Sequence, residues 1–172
     1  MGYDTYFNGE FELDRLLTDD QREFLDLWLS GDHVARDADL LKSAACSKQN
    51  LECLNLLDRL GMEPGEECVN YIGHPNDGAE TGHDPHSLPG RHCYWQISPR
   101  GATISCERGS SFLYVEWLTY IIEHFIKPWG YTLNGEVYWD GDQNDDRGKI
   151  EVIDNVITVY DEEPNYVARA VS

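Results

Sequence analysis

The chain opens on an alternation. Across residues 3–13, Thr5, Phe7, Gly9, Phe11 and Leu13 are interleaved with more polar neighbours, the period of two expected of a half-buried strand. Thr18-Asp19-Asp20-Gln21 then reads as a capping box with acids at the positive end of a helix dipole. Phe24, Leu25, Trp28 and Leu29 follow at helical spacing, and Gly31 ends the run. Over residues 39–61 the Leu and Ala spacing predicts two short helices broken near Ser47, with Leu51, Leu54, Leu57 and Leu60 facing inward. Residues 93–98 and 102–107 flank Pro99-Arg100-Gly101 and predict a hairpin. Residues 112–127 predict the strongest helix, with Leu113, Trp117, Leu118, Ile121, Ile122 and Phe125 on a wide apolar face that Pro128 closes. Alternation returns over residues 131–139. Residues 149–153 and 156–160 predict a second hairpin around Asp154-Asn155.

In order, these elements predict an α+β fold: an antiparallel sheet with helices on one face, in ferredoxin-like (βαββαβ) order, plus a C-terminal β-hairpin. Residues 1–163 are expected to form a single acidic domain, and residues 164–172 a flexible tail. A chain of 172 residues hides roughly 70% of its unfolded surface, enough for a sizeable core. Residues 63–92 interrupt the pattern with prolines, glycines and histidines and no periodicity. A loop that long is uncommon inside a compact domain and is often functional or poorly ordered. The architecture alone implies no activity.

Charge narrows the partners. Thirteen Lys and Arg stand against 32 Asp and Glu, a net charge of −19. Residues 1–32 hold nine acids and two bases, and residues 132–163 hold ten acids and two bases, so the acidity gathers toward both ends. Such a field repels phosphates and anionic lipid, which argues against direct binding of nucleic acid or a membrane surface and favours a basic protein partner or metal cations. Solubility alone would account for the same surplus. No stretch approaches the ~20 apolar residues of a membrane span, and the N-terminus lacks a basic segment followed by an apolar run, so a cytoplasmic location is expected. Five cysteines with no CxxC pair fit buried thiols better than a disulfide framework.

Two stretches carry a resemblance. One is Gly2-Tyr3 with Phe7-Asn8-Gly9-Glu10-Phe11. The other runs from Val115-Glu116-Trp117-Leu118 through His124-Phe125 and Pro128-Trp129-Gly130-Tyr131 to Leu133-Asn134-Gly135-Glu136-Val137. They resemble a family of small hypothetical proteins of bacteria and their phages, and the similarity extends through Trp139 to Asp154-Asn155-Val156. Residues 33–90 do not share it. The resemblance implies a bacterial or phage origin and carries over no catalytic residue.

Three constellations could hold chemistry. His83, His86, His92 and Cys93, with His74, Cys68, Asp77 and Asp84 nearby, offer imidazole and thiolate ligands suited to zinc, although a solvated polar loop collects the same residue types. Asp140, Asp142, Asn144 and Glu151 fall at positions 1, 3, 5 and 12 of an EF-hand-like loop, but position 6 is Asp145 where the sharp turn wants Gly, so an acidic turn between strands explains them as well. Glu116, Tyr120 and His124 form a helix stripe able to do acid–base work or simply to pack. No nucleophile elbow, phosphate loop or dinucleotide fingerprint is present in the sequence. Trp95, Trp129, Tyr131 and Trp139 could line a pocket, or pack in the core.

Two functions compete. One is a non-enzymatic acidic interaction module: an inhibitor of a bacterial defence nuclease or another basic nucleic-acid-binding protein, anti-CRISPR-like and DNA-mimic-like, with Asp140, Asp142, Asp145, Asp146, Glu151, Asp19, Asp20 and Glu23 as partner-binding acids and no cofactor. The other is a zinc-binding protein or small enzyme organised around residues 63–92.

Overall fold

The alternating segments become strands of one sheet. The structure is a computed structural model that describes residues 3–31, 33, 48–61, 88–110, 112–143, 145–161 and 167–169. They fall into two compact units: residues 1–16 with 94–172, and residues 17–93.

The first unit holds the sheet. Its strands are β1 Asp4–Leu13, β2 Gln96–Ile97, β3 Thr103–Ser105, β4 Arg108–Ser110, β5 Leu133–Gly141, β6 Arg147–Ile153, β7 Val156–Asp161 and β8 Val167–Arg169. Spatial order is β2-β3-β1-β5-β6-β7-β8, with β4 also beside β1, and every described pairing is antiparallel. β3 and β4 share one edge of β1: Phe11 faces Ile104 and Tyr6 faces Arg108, with Phe7 N–H donating to Glu107 O between them. Since β4 and β5 flank β1 and both oppose it, they run in the same direction. They are joined by α3, Tyr114–Ile121. β1 and β2 likewise run alike, with β3 between them.

One side of this sheet is apolar. Phe11, Leu133, Val137, Trp139, Ile150, Val152 and Val159 are buried there. The N-terminus of α3 docks on that side: Trp95 Nε1 donates to Tyr114 O at 2.8 Å, and the Tyr114 ring meets Phe7 and Trp139 at 5.3 and 5.8 Å. Trp95, Tyr131 and Trp139 are therefore packing residues, and Trp129 lies against Phe125.

The expected helix over residues 112–127 begins at Tyr114 and passes at Ile122–Ile126 into a π-helical turn. The expected hairpin after residue 93 is shorter than its alternation suggests, and β4 was not anticipated. Residues 167–169, in the stretch expected to be loose, pair with β7.

The second unit contains α1, Asp19–Ser30, and α2, Lys48–Arg59. The capping box forms as expected: Gln21 N–H donates to Thr18 Oγ1, and Thr18 N–H donates to Gln21 Oε1. Phe24, Leu25, Trp28 and Leu29 are buried, as are Leu56 and Leu57 of α2, while Leu54 and Leu60 are half-buried. The helix expected before Ser47 and most of the 63–92 loop lie outside the described residues.

Candidate functional site: the polar face of the sheet

Strand pairing sorts the outward side chains into rows, because residues directly opposite one another across neighbouring strands share a face. One row is Arg108, Tyr6, Asp140 and Arg147. The next is Asn8, Tyr138, Lys149 and Tyr160, and the third is Glu10, Glu136, Glu151 and Thr158. Three carboxylates thus stand side by side on adjacent strands roughly 4.8 Å apart.

Their repulsion is offset locally. Lys149 Nζ lies 3.4 Å from Glu136 Oε1 and 4.9 Å from the Tyr160 ring centroid. Tyr138 OH donates to Glu136 Oε2 and Tyr160 OH to Glu151 Oε1, each at 3.3 Å. The Lys149 charge, above all, holds the Glu136 carboxyl below its usual pKa. Arg147 Nε donates to Asp140 Oδ1 at 3.2 Å.

Beside these rows lies a shallow hollow of about 430 Å³, lined by Tyr6, Asn8, Tyr138, Asp140 and Arg147 among others. Tyr6 and Tyr138 are 49% and 41% exposed, so part of each ring meets solvent. A tyrosine face beside the Asp140 carboxylate suits a cation with a flat, partly apolar head, the group that Arg147 already brings to it.

Within this unit the sequence-expected acids are spread over the face and the turn beyond it. Asp140 is on the sheet face, whereas Asp142, Asp145 and Asp146 sit in the β5–β6 turn and Glu151 lies further along β6. Two of the turn acids are structural: Asp142 Oδ2 accepts the Asp4 N–H at 2.7 Å, and Asp146 accepts both Tyr3 OH and Trp139 Nε1. The Asp146 bond is the main reason the Tyr3 phenol is raised above its usual pKa. Strands flank this turn, so the EF-hand spacing belongs to a β-turn with Asp140 and Glu151 on different rows.

In the other unit, Asp20 holds Arg59 through two bonds of 3.2 and 3.4 Å. Glu23 shares a hydrogen bond with Glu52, which chiefly raises its pKa, while Asp19 remains a first-turn acid of α1.

His83 and His86 lie outside the described residues. His92 is exposed and its neighbour Cys93 buried. Among the described residues, no three His, Cys, Asp or Glu converge as metal ligands. His124 stacks on Tyr120 at 3.9 Å and 12°, so this part of the Glu116-Tyr120-His124 stripe is a packing contact. The Cys106 thiol is buried, and that burial pushes its pKa up to about 12, far from a thiolate nucleophile. No described helix is long and apolar enough to cross a membrane.

Sequence reasoning missed the exposed tyrosines as a pair. The alternation placed Tyr6 and Tyr138 outward on their own strands, but only the β1–β5 register makes them diagonal neighbours. Compared with protein-family models, curated proteins and solved structures, the chain has no match in any of the three.

Proposed function

We propose that this chain is a non-enzymatic acidic interaction module that captures a basic, nucleic-acid-binding protein. The observation that carries the reading is the placement of its charge: the chain bears −19, and no described Asp or Glu is buried, so the described acids are presented to solvent. Such a surface draws a cationic partner at rates raised by long-range steering and competes with the phosphates that partner normally holds. With the resemblance to bacterial and phage proteins, the specific form is an inhibitor acting on a defence nuclease in the bacterial cytoplasm.

The scaffold reading that accompanies this is a ferredoxin-like core widened by an extra meander. It is supported by the order β2-β3-β1-β5 and by the like-directed pairs β1 with β2 and β4 with β5, each separated by one opposing strand. Strands β6 to β8 extend that sheet beyond β5.

The test is capture of purified nucleic-acid-binding proteins on the immobilised chain at about 50 and 200 mM salt, with duplex DNA as competitor. Retention of basic proteins, lost with salt and displaced by DNA, is expected. Retention insensitive to both, or of neutral proteins only, would refute the reading.

A further inference from the structure

We propose that the hollow between Tyr6 and Tyr138 is the anchoring point of this module and that it takes an arginine side chain from an arginine-rich segment of the partner. The inference rests on the acidic-capture reading and adds where the partner docks and which residue it must bring.

The argument begins with what the chain already places there. Arg147 lines the hollow, and its Nε donates to Asp140 Oδ1 at 3.2 Å. Both partners of this pair are about half exposed, 49% and 60%, so water screens the attraction and the pair is weak. A guanidinium is thus already accommodated beside Asp140, held loosely enough to be displaced.

The surroundings favour arginine over lysine. Two large tyrosine rings stand open beside Asp140, Tyr6 directly opposite it on β1 and Tyr138 two residues before it on β5, and a planar guanidinium stacks on an aromatic face while meeting a carboxylate along its edge. A compact, strongly hydrated ammonium gains less from the rings. The next carboxylate, Glu136, is taken up by Tyr138 OH and Lys149, and within the hollow's own lining the acid Asp140 is matched by Arg147, so an incoming guanidinium must replace Arg147 at Asp140. Tyrosine is among the residue types enriched at binding hot spots. The net charge of −19 selects for a cationic segment over a nucleic acid strand, whose bases could otherwise stack on the same rings.

The experiment uses the full chain and two labelled probes, nona-arginine and nona-lysine peptides, with a short oligothymidine as a third. Fluorescence anisotropy reads affinity, and amide NMR shifts locate binding. The arginine peptide is expected to bind more tightly than the lysine peptide and to shift Tyr6, Asn8, Tyr138 and Asp140. The Tyr6→Ala/Tyr138→Ala variant should bind it roughly tenfold more weakly at unchanged thermal midpoint. Arg147→Gln should bind it roughly two- to fivefold more tightly, because the resident competitor is gone; misfolding could not produce that gain.

Arginine binding with shifts scattered over all the acids, and no effect of either variant, would overturn the docking site while leaving the acidic-capture reading intact. No binding of either peptide at low salt would defeat both. Oligothymidine binding in the hollow, weakened by Arg147→Gln, would replace the cationic occupant with a nucleic acid one.

Discussion

Gly9 and Gly135 show how closely β1 and β5 approach. Both have positive φ, +107° and +143°, and an added Cβ would sit 2.5 Å from Glu136 O at the first and 2.7 Å from Glu10 O at the second. Backbone cannot yield as a flexible side chain can, so Gly9→Ala and Gly135→Ala are each expected to cost about 2–3 kcal/mol, read as a loss in chemical denaturation. Glu23 makes the opposite case. Its bond to Glu52, aided by burial, makes it hold its proton more tightly folded than unfolded, so its contribution to stability is present at acid pH and fades as pH rises through its folded value. Glu23→Gln should therefore stabilise by up to about 0.5 kcal/mol at pH 7, and the gain should vanish near pH 4; thermal midpoints of both proteins at the two values check this. Neither effect was readable beforehand. The sequence shows glycines in a strand and an acid in a helix, but the facing carbonyl and the facing carboxyl come from residues far away in the chain.

At the scale of elements, the β6–β7 hairpin was legible because its turn chemistry is local. Asp154 and Asn155 adopt φ of 48° and 69°, the left-handed pair that a two-residue hairpin requires and that Asp and Asn tolerate. What the sequence did not disclose is that Asn155 also fastens the hairpin to β5: its Oδ1 accepts Leu133 N–H at 2.7 Å and its Nδ2 donates to Tyr131 O at 3.0 Å. Asn155→Ala should lose about 2–3 kcal/mol, more than Asp154→Ala, as measured by urea midpoints. The capping box of α1 was equally legible, since its partners lie three residues apart. The π turn at Ile122–Ile126 was not, because no Gly or Pro marks it and its apolar spacing reads as ordinary helix. β4 was hidden for a related reason: Arg108–Ser110 has too little apolar character to announce a strand and owes its place to pairing with Asp4–Tyr6.

For the whole molecule, the surplus of acids opposes compaction, and salt should relieve it. Raising ionic strength from about 10 to 150 mM shortens the Debye length from roughly 30 to 8 Å. The thermal midpoint is accordingly expected to rise by several degrees over that range; a fall would mean that ion pairs such as Lys149–Glu136 outweigh the general repulsion. Composition made the charge plain from the start, but not the Tyr6–Tyr138 hollow, which exists only where β1 meets β5. That pairing has a temporal meaning as well. Thr5 faces Gly141 and Leu13 faces Leu133, so the first strand emerges from the ribosome some 120 to 136 residues before its central partner. At roughly 5–20 residues per second, it waits on the order of 6–27 s with the edge facing β5 unpaired. During synthesis, then, the nascent chain carries a strand with one edge still open until residues 133–141 are made, and a ribosome stalled before residue 133 would release a product that cannot complete the sheet.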